Sequence, residues 1–271
     1  MDTTGTQTGT MPPPLTDSAQ GPRKDWRRAV RAVRGLVRDP KRTDLVFEII
    51  DSLSGPAFER SYRRFRASPE SARLLSERPN LIDSLRDREA LAALPTGSLG
   101  RFYLEFVNRG GLLADGLLTA EEEAASHAPA RAAIVDADRH WFGNRMRDAH
   151  DLWHTVTGYG MDEAGEGGLL AFTYAQVPNP GIGLIVLAAI VHGPWSERLR
   201  WPRYLLSAWR RGRATPWLAT ARWEELLPLP MPTVQARLGI PRRAEAHPRG
   251  RAVAIGAPEE PRIEYRSALV A

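Results

Sequence analysis

The string His150-Asp151-Leu152-Trp153-His154, then eleven residues, then Glu166, concentrates the chemistry of this chain in one place. On a helix turning about 100° per residue, His150, Asp151 and His154 fall near 0°, 100° and 40°, an arc of about 100° on one face. Two imidazoles one turn apart can grip one metal ion. The stretch from Thr155 to Gly165 carries Gly158, Gly160 and Gly165, so the chain can turn and bring Glu166 back from the start of the next helix. His150, Asp151, His154 and Glu166 then form a candidate site of nitrogen and oxygen ligands only. Such a set suits zinc, iron, manganese or cobalt, and ligand type alone does not choose among them. A half-buried polar helix edge, its Asp and His simply hydrogen-bonded, is the competing reading of the same residues.

Neighbouring chemistries fit less well. Zinc proteases place Glu, as general base, inside H-E-x-x-H. Asp151 is one methylene shorter and sits where it can itself reach a cation. Phosphohydrolases of the H…HD…D type need an upstream His and a distant Asp, whereas this helix supplies its own second His. His127, His140, His192 and His247 lack ligand spacing and read as structural or solvated. Cysteine is absent, which removes disulfides, thiolate zinc sites, iron–sulfur clusters and Cys nucleophiles together. No Walker loop and no G-x-G-x-x-G after a strand occurs. The net charge of +5 is diffuse and rests on arginine, Lys24 and Lys41 being the only lysines. That is not the basic stripe of a nucleic-acid binder, so no nucleic acid is expected as partner.

The elements that must position these residues read as helices throughout, in one all-α domain over 25–240. Trp26, Val30, Val33 and Val37 alternate with Arg27, Arg28, Arg31, Arg34 and Arg38, an amphipathic helix ending at Asp39-Pro40. A second helix is expected over Thr43–Leu53, stopping at Gly55-Pro56. Arg60–Arg66, Ala72–Glu77, Leu81–Leu94 and Ser98–Asn108 continue the series, with a loop over Gly110–Leu118. The longest periodic stretch runs from about Pro129 to Val156, and another from Asp162 to Val177. Gly181–His192 reads as an apolar buried helix, Trp201–Arg211 as one basic on its outer side, and Ala221–Leu226 as a short one. Residues 1–24 are Thr, Gly and Pro-rich, a disordered tail by composition; 241–271 form a Pro and Arg-rich irregular tail. The first segment lacks the basic and apolar parts of a signal peptide. The longest apolar run, Ile182 to Val191, is ten residues, where a spanning helix needs about 20. A peripheral rather than integral protein is expected.

HDxxH followed by eleven residues and Glu also resembles the ligand motif of the coenzyme Q (ubiquinone) biosynthesis family Coq-four. Leu94-Pro95-Thr96-Gly97-Ser98-Leu99-Gly100-Arg101, with Tyr103, Leu104 and Phe106, is similar to the family's LP-x-GSLG segment. Arg147 three residues before His150, Gly181–Gly193, Arg222-Trp223-Glu224-Glu225 and Leu238-Gly239-Ile240 agree in the same order. The resemblance spans roughly 25–240 and leaves both tails outside it. It implies a peripheral membrane protein that works with other ubiquinone-biosynthesis enzymes on polyprenylated ring intermediates. The implied activity is metal-dependent, oxidative removal of the ring carboxylate of a polyprenyl hydroxybenzoate, with His150, Asp151, His154 and Glu166 as ligands and zinc as the first cation. The alternative is a non-catalytic organiser that holds lipid, its metal structural. Arg147, about 60° from His150 around the helix, is the candidate catalytic partner for a substrate carboxylate, or else a salt bridge orienting a ligand carboxylate. Met146, Trp153, Phe172, Tyr174 and the Ile182–Val191 helix are candidates for a prenyl groove, or plain core. The Trp26–Arg38 helix and the Trp195, Trp201, Tyr204 and Trp209 cluster with Arg198, Arg200, Arg203, Arg210 and Arg211 suit a membrane surface. The cytoplasmic side of a membrane is the expected location, and a homo-oligomer is one possible assembly.

Overall fold

Capping side chains and prolines set the helix boundaries. The computed structural model describes residues 24–39, 42–110, 136–193 and 198–240. Both tails, the expected loop after Gly110, the start of the periodic stretch near Pro129, Trp195, His127 and His247 lie outside these residues or largely so. Asp25 opens α1 (Trp26–Arg38), its carboxylate accepting from the Arg28 N–H at 2.9 Å. Arg28 turns inward and donates to Glu48 (3.1 Å) and Asp51 (2.6 Å) on α2 (Thr43–Ala67). The expected stop at Gly55-Pro56 is instead a kink. Gly55 leaves helical geometry (φ 10°, ψ −98°) and the helix resumes to Ala67. Proline lacks the N–H and crowds the preceding turn, which bends a helix whose packing continues on both sides.

Pro69 occupies the first turn of α3 (Pro69–Glu77), which ends at Arg78 in the left-handed region. The single helix expected over Leu81–Leu94 is two, α4 (Leu81–Arg86) and α5 (Arg88–Ala93). Asp87 divides them, its side chain accepting from Ala90 N–H at 2.9 Å. α6 (Leu99–Gly110) follows an antiparallel bridge between Ser98 and Pro230, and no strand occurs among the described residues. Leu99 and Gly100 N–H groups donate to Leu229 and Leu227 carbonyls, anchoring α6 to the C-terminal segment.

The long stretch through the His motif is broken at Ala149 into α7 (Ala137–Asp148) and α8 (His150–Thr157). Arg139 on α7 donates to both Glu59 oxygens, at 2.8 and 2.9 Å, tying α7 to α2. α9 (Glu163–Gln176) is capped by Asp162, and α10 (Pro180–Val191) by Asn179. α11 (Arg200–Ala214), a 3-10 turn at Leu218–Thr220, α12 (Trp223–Leu226) and α13 (Met231–Arg237) complete the described chain.

The main core gathers Leu99, Tyr103, Leu152, Trp153, Val156, Leu169, Phe172, Tyr204 and Trp223 from α6, α8, α9, α11 and α12. A satellite of Tyr62, Phe65, Leu74 and Phe142 joins α2, α3 and α7. Ala32, Ile49 and Ile185 join α1, α2 and α10. Two expectations are corrected here. α10 is apolar all round but not a buried helix: Gly181, Ile182 and Ile185 face the core, while Leu187, Ile190 and Val191 are exposed. Trp201 and Tyr204 are not on a membrane-facing patch. Both are buried, the Trp201 ring N–H donating to Ala189 O (2.9 Å) and the Tyr204 hydroxyl to Ala164 O (2.9 Å). Among the described residues no helix is long and apolar enough to cross a membrane.

Candidate metal centre

α8 exists as a separate short helix because the chain steps at Ala149 and is stopped by Gly158, whose φ of 80° favours glycine. That placement puts His150 at its first turn and His154 one turn on. Their Nε2 atoms are 3.2 Å apart, with ring planes at 82°. Asp162 starts α9 so that Glu166 arrives in its first turn. A Cβ on Gly165 would strike the Gly160 backbone, so only glycine lets α9 begin this close to the loop. Glu166 Oε1 lies 3.3 Å from His154 Nε2, and Oε2 lies 3.9 Å from His150 Nε2. One ligand atom from each of His150, His154 and Glu166 falls within a 4.8 Å cluster.

The imidazole of His154 is fixed on two sides. Its Nδ1 lies 3.0 Å from the Tyr159 carbonyl, which can only accept, so Nδ1 carries a proton and Nε2 faces the cluster, donating to Glu166 when protonated and offering its lone pair to a cation when not. Phe106 of α6 stacks on the ring, centroids 5.3 Å apart and planes at 26°. His154 is 1% exposed, whereas the side chains of His150 and Glu166 are 29% and 43% exposed. The anchor is therefore internal and the other two ligands are partly exposed to solvent.

Electrostatics follow from this burial. Desolvation, then the neighbouring His154, hold His150 below the ordinary imidazole value, keeping it neutral. Burial also works against a charge on His154, but the Glu166 charge and hydrogen bond, Asp151 and the Tyr159 carbonyl outweigh it and raise that group. Burial acts to raise Glu166, and His154 followed by His150 hold it below the ordinary carboxylate value. Two ring nitrogens 3.2 Å apart with a carboxylate beside them converge lone pairs on one point. A divalent cation fits that donor set, with room left for a further ligand on the open side.

Of the five residues singled out by sequence, three converge. Asp151 is buried on the same helix but is not in the cluster; its charge, after burial, helps push the Tyr103 phenol of α6 above its ordinary value. Arg147 does not approach the cluster carboxylate: its Nε and Nη2 donate to Asp148 Oδ1 at 2.9 and 2.7 Å, and its Nη1 to Asn144 Oδ1 at 3.2 Å. Trp153 and Phe172 contact each other edge-on in the main core, 6.3 Å between centroids, rather than lining an opening. His140 is exposed beside Asn144, and His192 is exposed past the end of α10. Phe106 and Tyr159 were not singled out as site residues. Phe106 follows the LPTGSLG segment by six residues, while Tyr159 acts through its backbone, which no side-chain pattern reveals.

Comparison with known proteins identifies the family. The family model described as "Coenzyme Q (ubiquinone) biosynthesis protein Coq4" matches residues 24–243. The chain is 30% identical over 215 residues to the ubiquinone biosynthesis protein COQ4, mitochondrial, of Arthroderma otae, covering 78% of this chain and 76% of that one. It is 28% identical over 213 residues to the protein of the same name from Paracoccidioides brasiliensis, covering 78% and 71%. A crystal structure of a protein assigned to ubiquinone biosynthesis, from Nostoc punctiforme PCC 73102, shares the fold with a TM-score of 0.59 and 23% identity over 80% of this chain and 99% of that one. The chain therefore belongs to the Coq4 family of coenzyme Q (ubiquinone) biosynthesis proteins.

Proposed function

We propose that this member of the ubiquinone-biosynthesis family is a metal-dependent carboxy-lyase, acting on the ring carboxylate of a polyprenyl hydroxybenzoate. The observation that carries the reading is the convergence of His150, His154 and Glu166 on one point, with His150 and Glu166 partly exposed. Zinc is the first cation considered, with iron, manganese and cobalt suited to the same ligands. When bound, the cation supplies a Lewis acid for substrate oxygens. The chain's own residues do the rest. His154 keeps its proton on Nδ1, against Tyr159 O, and offers Nε2. Phe106 and the core behind it exclude water from that side. Asp151 adds buried negative charge behind the histidines. Arg147, the candidate partner of the substrate carboxylate, is held by Asp148 and Asn144. In simple decarboxylation the ring carbon–carboxylate bond breaks, CO2 leaves and the ring carbon takes a proton; the oxidative form places a hydroxyl there and draws on an added oxidant such as dioxygen.

A second reading, a non-catalytic organiser that presents lipid to partner enzymes at a membrane surface, is favoured by the exposed apolar residues of α1 and α10. Protein loaded with each cation and given polyprenyl hydroxybenzoate, with and without dioxygen, separates the two. CO2 release by the wild type, lost in a folded His154→Ala variant, supports catalysis. No release with any cation or oxidant overturns it and leaves the organiser.

A further inference from the structure

Arg211 was read from sequence as part of a cationic outer patch, yet it points inward. Its Nη1 donates to the Thr157 carbonyl at 2.7 Å, and its guanidinium carbon lies 5.3 Å from the centre of the Tyr159 ring. Thr157 and Tyr159 flank Gly158, the left-handed residue at which α8 ends. One guanidinium therefore holds both sides of the turn that swings the Tyr159 carbonyl back to within 3.0 Å of His154 Nδ1. Hydrogen bonding of a cation to the last carbonyls of a helix is favourable in itself, and a guanidinium on an aromatic face adds to it.

The helix bearing Arg211 is also locked to the helix bearing Glu166. Besides the Tyr204 hydroxyl bond to Ala164 O, Gly212 meets the Phe172 backbone so closely that a Cβ would collide. We infer that Arg211 is a positioning residue, clamping Thr157 and Tyr159 so that His154 is held in its Nδ1–H form with Nε2 aimed at Glu166. This deepens the metal reading given above and rests on it for its consequence, though not for the geometry of His154. Groups that orient a ligand from behind typically affect metal affinity about 10–100-fold.

The test uses the full chain as Arg211→Gln and Arg211→Lys, with Gln235→Leu as comparison. Gln235 donates to the adjacent Val156 carbonyl at 3.0 Å and so also caps α8, one residue before the carbonyl that Arg211 holds. Long-range proton–nitrogen spectra of the metal-free protein, with His154→Ala to assign the signal, read the tautomer directly. Zinc competition titration reads affinity. Arg211→Gln is expected to mix the His154 tautomers and weaken zinc about 10-fold, Arg211→Lys to restore part of both, and Gln235→Leu to lower stability with the His154 signal unchanged. An unchanged signal in folded Arg211→Gln overturns the inference, as does an equal change in Gln235→Leu. Should Arg211→Gln not fold, Arg211→Lys carries the test, and wild-type spectra and affinity in it overturn the inference. Should the wild type bind neither zinc nor iron, manganese or cobalt, the metal reading fails, while the spectra still decide the role of Arg211.

Discussion

His150 and His154 bring their Nε2 atoms to 3.2 Å of each other while the far nitrogen of His154 is tied to the Tyr159 carbonyl. With that second nitrogen committed, the facing pair is satisfied either by a shared proton or by a cation. Asp151, adjacent in sequence, is outside the cluster. The variants therefore divide. His150→Ala, His154→Ala and Glu166→Gln are expected to lose bound metal, measured by elemental analysis after dialysis against each cation. Asp151→Asn is expected to keep stoichiometric metal, with a smaller change in affinity of the kind that outer groups produce. Metal loss in Asp151→Asn equal to that of the histidine variants would place Asp151 among the ligands.

That division also shows what the sequence could and could not convey. The HDxxH spacing and the glycines before Glu166 were enough to find the three converging residues. Asp151 was grouped with them because it shares a broad arc, but it is about 100° from His150 and about 60° from His154. For so short a side chain that rotation leads away from the cluster and toward Tyr103. Helix existence was legible from apolar spacing, whereas the break at Asp87 depended on its side chain competing for backbone, and the kink at Gly55-Pro56 on packing that carries the helix onward. No separate helix is expected from the sequence over Met231–Arg237, where α13 forms with prolines at 230 and 232 at its start. Trp201 and Tyr204 were assigned to a surface by their arginine neighbours, although Trp201, Tyr204, Leu205, Ala208 and Gly212 follow the spacing of a buried helical stripe.

Arg145 on α7 grips Glu224 of α12 with both terminal nitrogens, at 2.7 and 2.9 Å, and also donates to the Ala221 carbonyl at 3.0 Å. Arg145 is buried, so removing one partner strands the other. Arg145→Met is expected to destabilise the fold by about 3 kcal/mol in urea unfolding, the lower end for a broken buried pair, and Glu224→Gln by less because its side chain is partly exposed. A loss below about 0.5 kcal/mol in Arg145→Met would show that the pair is dispensable.

The same pair sets an acid dependence. Burial acts to raise Glu224, but the hydrogen bonds and charge of Arg145 outweigh it and hold the carboxyl below its ordinary value of 4.5. The unfolded state then binds the proton first as pH falls. Stability from this group is present above the ordinary value and is lost as pH drops through the lower, folded value. Urea midpoints taken from pH 6 downward are expected to decline more steeply in the wild type than in Glu224→Gln. Parallel declines would assign the acid sensitivity to other carboxylates, Glu59 beside Arg139 and Arg63 among them.

Gly165→Ala separates the construction of the site from its ligands. The added methyl would meet the Gly160 backbone, which cannot swing aside as a flexible side chain can. The first turn of α9 must shift, and Glu166 with it. Expected are a stability loss of about 1–3 kcal/mol, the usual range for overpacking, and weakened metal binding although all three ligands remain. Unchanged affinity would mean that the 160–165 turn accommodates the methyl without moving Glu166.

Peripheral attachment makes a prediction that stability measurements can isolate from folding. Trp26, Val30 and Val37 fall within about 40° of one another around α1, with Arg27, Arg31, Arg34 and Arg38 beside them; all seven are exposed. α10, which packs beside α1, exposes Leu187, Ile190 and Val191. Apolar side chains flanked by arginines match an anionic headgroup layer, where each basic residue near the surface contributes about 1 kcal/mol. Trp26, Val30, Leu187 and Ile190 are each about half exposed, so Trp26→Ser/Val30→Ser and Leu187→Ser/Ile190→Ser are expected to lower the urea midpoint while remaining folded. Both should sediment less with vesicles containing phosphatidylglycerol. Arg27→Gln/Arg31→Gln/Arg34→Gln should lose the part of binding that added salt removes from the wild type. Wild-type sedimentation by all three variants would assign membrane contact to another face, and no sedimentation of the wild type itself would remove the membrane from the reading.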